Sequence, residues 1–318
     1  MNSKMSDALY DLYVTLNILA FDLNKIMLPI QIVLGTIGNL LNIIIFTRRS
    51  LRNSSCSIYF IASSINNLFV IYTGIITRYL SLFSDNDIAN NSSVLCKLKY
   101  YIIYTALSLV LWLTVLASID RFLCSSRKVS YRRLSRNTIA RRTLIGTFLL
   151  IFVIHIHMLI YYDVSEGYCN IFLTEYQTFF DMFFFVISCI LPIILMTIFG
   201  LLMINNIRQS RNRVHPQQSN QRLKSNDRQM VLMLAIQILL TALFSVPYSI
   251  INVYYTIRYN ILQYEIPLYD FVILLFTNNI AGILYFSNPI IGFYIYTLCG
   301  KRFRLELKQL ICSTYQCK

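Results

Sequence analysis

The sequence predicts an all-α membrane protein, a bundle of seven transmembrane helices, and three observations carry that expectation. The 318 residues are 56% hydrophobic and only 13% charged, a composition outside the usual range of soluble domains. Seven stretches run free of Asp, Glu, Lys and Arg, at 26–47, 57–77, 100–119, 143–162, 182–207, 229–257 and 271–300. Each supplies the roughly 20 helical residues that cross a hydrocarbon core, and the links between them are too short and polar to form a water-soluble shell. The third observation is the uneven placement of the 28 Lys and Arg: segment 48–56 holds three, 123–142 seven, 205–229 six and 298–318 five. Loops 80–95 and 163–177 hold none. Short basic loops stay cytoplasmic, so the N-terminus is expected outside and the C-terminus inside. The net charge of +14 then follows from topology and calls for no nucleic acid.

The organisation expected is an outer segment at 1–25, a spanning domain at 26–300 and an inner tail at 301–318. Residues 1–25 show no basic start followed by an apolar run and a cleavage site, so the first span is expected to act as its own insertion signal. That span carries Gly35 and Gly38-Asn39; a polar amide in lipid needs partners, so Asn39 should face the bundle. The second span carries Asn67. Beyond it, Asn90-Asn91-Ser92-Ser93 offers overlapping outer glycosylation acceptors at Asn90 and Asn91, whereas Asn53-Ser54-Ser55 faces the cytoplasm and should stay bare.

Cys96 opens the third span, and Cys169 follows the fourth. They are the two cysteines at the outer, oxidising ends of the spans, which allows one disulfide. Asp120-Arg121-Phe122 closes the third span. In the fourth, His155 and His157 stand at i and i+2, on different faces of a helix. The fifth and sixth spans contain the helix-bending Pro192 and Pro247, joined by a polar inner loop around Pro216. Asp227 precedes Pro247 by 20 residues. The seventh span contains Asn288-Pro289. After it, Phe303, Leu307, Leu310 and Ile311 recur at helical spacing beside Lys301, Arg302, Arg304 and Lys308, the pattern of an amphipathic helix on the inner membrane surface. Cys312 and Cys317 near its end are candidate palmitoylation sites.

These motifs together resemble the rhodopsin-like, or class A, family of G protein-coupled receptors, over nearly the whole chain. Gly38-Asn39 is similar to the family's Gly-Asn signature, whose Asn hydrogen-bonds toward the second and seventh helices. Asp120-Arg121-Phe122 matches Asp-Arg-Tyr with Phe in the last place, and Arg121 lies 25 residues after Cys96, the family's spacing. The resemblance implies that Arg121 is held at rest by Asp120 and Asp227, and that an agonist favours a state in which the sixth helix swings outward and admits a heterotrimeric G protein. Departures are several. Asn67 replaces the usual Asp of an internal sodium site, the tryptophan two residues before Pro247 is missing, the fourth helix lacks its Trp and Pro, and Gly200 replaces a common Tyr. Asn288-Pro289-Ile290-Ile291-Gly292 ends in Gly, leaving Tyr294 and Tyr296 as rival stand-ins for the family's tyrosine. The mixture looks like a divergent invertebrate neuropeptide-type receptor in a plasma membrane.

Residues 269–300 contain no lysine for a retinal Schiff base, and Ile103 occupies the place of the acid that amine receptors share. The acids Asp85, Asp87, Asp163, Glu166, Glu175, Asp181, Glu265 and Asp270 lie on the outer side. Asp163, Glu175, Asp181 and Asp270 form the expected ligand vestibule, which would attract a basic or amidated peptide, although outer loops are poor in Lys and Arg in any case. A transporter or channel is the alternative, with His155, His157, Arg78 and Asn67 as pathway residues. Its inverted-repeat signal is missing. No cofactor, metal or enzymatic constellation is expected.

Overall fold

In hydrocarbon every backbone N–H and C=O must be satisfied within the protein, and this chain meets the demand with helices. The computed structural model describes residues 2–49, 51–52, 54–83, 88–165, 167–211, 220–264 and 267–314. Helix α1 spans Asn2–Phe46. It is followed by α2 (Ser55–Leu80), α3 (Ser93–Ser125), α4 (Asn137–Tyr161) and α5 (Thr174–Gln209). Then come α6 (Asn220–Tyr255), α7 (Leu268–Tyr285, resuming as Asn288–Cys299) and α8 (Lys301–Thr314). Seven of these are long and apolar enough to cross a membrane. Helix α1 starts at Asn2 rather than near residue 26, so the expected outer segment is continuous with the first span.

Their interruptions have local causes. A π-turn at Val186–Ile190 precedes Pro192 in α5, and there Leu191 donates to the Val186 carbonyl. The next donor in that pattern would be Pro192, which has no N–H. The Ile187 carbonyl takes the indole N–H of Trp112 instead, at 3.1 Å. Helix α7 breaks in the same way. Pro289 cannot donate to the Tyr285 carbonyl four residues back, and the Asn288 side-chain amide fills in at 3.0 Å. Further π-turns occur at Ile71–Ile75 in α2 and at Thr256–Ile261 beyond α6.

Helix α4 stops at Ile154 and resumes at Met158. With the turn between them tightened to bonds three residues back, as from Ile156 to Val153 and from Met158 to His155, His155 and His157 stack at 6.4 Å and both meet the Phe183 ring. The expectation of different faces assumed a continuous helix and is corrected here. His155 is buried between Ser108, at 3.0 Å, and the Ile151 carbonyl, at 2.9 Å. His157 meets the Tyr176 hydroxyl.

Strands β1 (Tyr162–Ser165) and β2 (Tyr168–Ile171) form an antiparallel hairpin with Val164 opposite Cys169. Gly167 sits at φ +79° in its turn, a backbone region that favours glycine. Cys169 is bonded to Cys96, with Cα atoms 5.6 Å apart, so the hairpin is fastened to the start of α3. One apolar core lies beneath it, from Ala106, Leu107 and Val110 to Phe180, Phe184 and Tyr285. A second fills the opposite end, where Phe46, Phe60, Tyr296 and Phe303 meet. There α8 is held by burial of Phe303 and by the Arg48–Glu306 ion pair at 3.2 Å.

Candidate functional site

Three polar regions lie along the bundle. At the end away from the disulfide, Asp120 is buried and its carboxylate accepts hydrogen bonds from the Ser55 hydroxyl at 2.8 Å and the Ser135 hydroxyl at 2.7 Å. It therefore ties α3 to the start of α2 and to the segment after the short helix Val129–Leu134. The Arg121 guanidinium lies over the Phe60 ring, 5.3 Å from its centroid. Phe60 in turn packs on Tyr296 at 4.8 Å. The expected Asp120–Arg121 ion pair is not formed: among the described residues the ion pair is Arg48–Glu306. Two hydroxyls beside the carboxylate and an aromatic face beside the cation replace it. Phe122 packs on Phe199 of α5. Asp227 lies on α6, but its side chain falls outside the described residues.

In the middle of the bundle, Asn39 donates to the Pro289 carbonyl at 2.9 Å and accepts from the Asn67 amide at 3.1 Å, which joins α1, α2 and α7. Asn288 donates to the Ser245 hydroxyl at 3.1 Å, so Ser245, two residues before Pro247, links α6 to α7. Asn42, Asn67, Asn288 and Tyr296 line one small cavity. The three amide oxygens have no hydrogen-bond partner among the described residues, and no carboxylate lines that cavity. Of the rival tyrosines, Tyr296 is buried here, whereas the Tyr294 hydroxyl turns back to the Leu34 carbonyl of α1.

The third region is a cleft of about 340 Å³ at the disulfide end. Its wall includes Tyr100, Ile103 and Tyr104 of α3, Tyr248 of α6 and Tyr285 of α7, with two cations, Arg78 and Lys99. None of the four vestibule acids is among its lining residues. Asp163 is exposed on β1, and the Ser93 hydroxyl and the Val164 N–H hold its carboxyl below the usual range. Glu175 and Asp270 are exposed in the first turns of α5 and α7, where an acid meets the positive end of a helix dipole. Asp181 is half-buried and accepts from the Thr256 hydroxyl, bridging α5 to the π-turn beyond α6. The acids are thus exposed at the helix starts and the hairpin or bridge helices, while the lining of the cleft holds Arg78, Lys99 and several tyrosines. Counting charges by loop missed this, because Arg78 and Lys99 sit within helix ends. An arginine directly following the apolar run 57–77 was the available signal.

Of the modification candidates, Asn90 is half-buried and its side-chain oxygen accepts from the Cys169 N–H at 3.1 Å, whereas Asn91 is exposed. Cys312 is a half-buried free thiol; Cys317 lies outside the described residues, as do Asp85, Asp87, Glu166 and Glu265. Among the described residues no cluster of His, Cys, Asp or Glu could hold a metal ion.

The sequence model of the family described as 7 transmembrane receptor (rhodopsin family) matches residues 38–291. No curated protein matches the chain.

Proposed function

Because the chain belongs to the rhodopsin family of seven-transmembrane receptors, it is a multi-pass plasma-membrane receptor that binds an extracellular ligand and signals through a G protein, and we propose that the ligand is peptide-like and enters at the disulfide end. That end then faces outward, and the end bearing Arg121 and α8 faces the cytoplasm, in keeping with the basic loops beside it. The observation that carries the ligand reading is the cleft at the disulfide end, with Asp163, Glu175 and Asp270 exposed on elements of the same end of the bundle. An end bearing exposed acids attracts the basic residues of a peptide and raises its association rate.

On this reading Arg121 is the transducing residue. With Asp120 held by Ser55 and Ser135, the cation rests on the aromatic cluster of Phe60 and Tyr296. Outward movement of α6 exposes it to the G protein. A state of this kind is stabilised only by a ligand that binds it better than the resting one.

The test is a peptide screen against the full-length receptor, read as GTP exchange by a promiscuous G protein. Basic peptides that raise exchange, with an apparent affinity that weakens as salt rises, are the expected result. A lipid as the activating class, or a ligand-independent ion current without GTP exchange, overturns the proposal.

A further inference from the structure

We propose that the cleft binds an anionic group, such as a free carboxylate, and that Arg78 is its counter-charge; this rests on the receptor reading and specifies the ligand chemistry of the same site. Arg78 stands in the last turn of the second span and is half-buried, with its guanidinium turned into the bundle toward the first and seventh helices rather than out to the membrane surface. Its partners are all neutral. Nε donates to the Asn24 side-chain oxygen at 3.2 Å, and Nη2 to the Asn279 side-chain oxygen at 3.0 Å. The guanidinium lies 5.7 Å from the Phe286 ring centroid. These contacts hold the group in place, yet no carboxylate among the described residues offsets its charge.

The cleft also has the shape and donors for an anion. Nη1 lies against Gly282, where an added Cβ would come within 2.8 Å, so the absence of a side chain there makes room for the guanidinium at the cleft wall. Gly282, Arg78 and Tyr285 all line it. Tyr285 is 3% exposed, and its hydroxyl has no hydrogen-bond partner among the described residues. An unpaired buried donor is costly. An acceptor-rich anion in the cleft supplies the counter-charge that Arg78 lacks, and the Tyr285 hydroxyl is a further donor in the lining of the same cleft, whereas a second cation would be repelled by Arg78. The chemistry therefore divides the ligand: basic residues meet the exposed acids of the disulfide end, and an acidic group, such as a peptide's free C-terminus, goes into the cleft. An amidated terminus lacks the charge.

The test uses N-acetyl-tyrosine and its uncharged counterpart N-acetyl-tyrosinamide as probes, with the thermal stability of the full-length receptor in nanodiscs as readout. The acid is expected to raise the unfolding temperature at concentrations where the amide does not. Arg78→Gln should weaken the acid's effect by about tenfold or more, because the buried charge partner is lost. Tyr285→Phe guards against misfolding of the arginine variant: it deletes one hydroxyl, leaves Asn24 and Asn279 anchored, and should weaken the acid's effect severalfold. Equal stabilisation by acid and amide, or full retention of the acid's effect in both variants, overturns the inference. Basal GTP exchange on the same preparations separates the two readings. Exchange intact with no acid preference sinks the anion site alone, while acid preference without exchange supports the site and sinks the receptor mechanism.

Discussion

At the scale of single residues, hydrogen-bond partners separate candidates that the sequence leaves equal. Asn90 and Asn91 carry the same acceptor pattern, but Asn90 is bonded to the Cys169 N–H and Asn91 is exposed. Asn91→Gln is therefore expected to abolish a glycosidase-sensitive gel shift, and Asn90→Gln to leave it; the reverse result would show that the Asn90 bond opens before modification. Asp120 is a second case. Its carboxylate receives two hydroxyls, and hydrogen bonds to a charged group contribute about 1.5–3 kcal/mol each. Asp120→Asn should loosen the junction of α3 with α2 and the Ser135 segment and raise basal GTP exchange severalfold, with Ser135→Ala acting the same way but less. Arg121→Ala should preserve ligand binding and cut stimulated exchange. Measured at matched surface expression, normal signalling by Arg121→Ala would remove that residue from the mechanism. The sequence made Asp120 and Arg121 visible through their spacing from Cys96, but their partners were not legible. Ser55 and Ser135 are 65 and 15 residues from Asp120 in the chain, and small hydroxyls carry no distinguishing pattern.

Whole elements were easier to read than their interruptions. A span announces itself by 20 residues of apolar composition, and all seven do so here. A π-turn changes only which carbonyl each N–H meets, so it leaves no trace in composition, and the break in α4 at His155 left none either. Prolines are the exception, because a missing N–H must be answered somewhere. Trp112 answers Pro192 from the neighbouring helix, and Asn288 answers Pro289 from the adjacent residue. Trp112→Phe keeps the ring bulk and deletes the donor, leaving the Ile187 carbonyl unpaired in a nonpolar setting at a cost of about 1–3 kcal/mol. The thermal midpoint of the purified receptor should fall accordingly. An unchanged midpoint would mean that another donor reaches Ile187. Charges counted in the loops alone mislead at this scale, since Arg78 and Lys99 near the helix ends line the cleft and the loop acids do not.

For the molecule as a whole, one covalent bond joins the hairpin to α3, closing a sequence separation of 73 residues. Loops of that length lose enough unfolded-state freedom to stabilise the fold by about 4 kcal/mol in the chain-entropy account. Cys96→Ala and Cys169→Ala should each reduce surface expression and ligand binding, and the double variant should be no worse than either single one, because both remove the same bond. A markedly worse double variant would assign the two thiols separate roles. The π-turns have a different reach, beyond this chain. Each holds one more residue per turn than an α-helical turn of the same span, so every residue past it faces a direction that simple counting assigns to its neighbour. Arg78 stands past the turn at Ile71–Ile75. A mutation carried over from a receptor with an uninterrupted second helix, matched without a gap from Asn67 onward, would fall on the wrong side chain and give a misleading negative result.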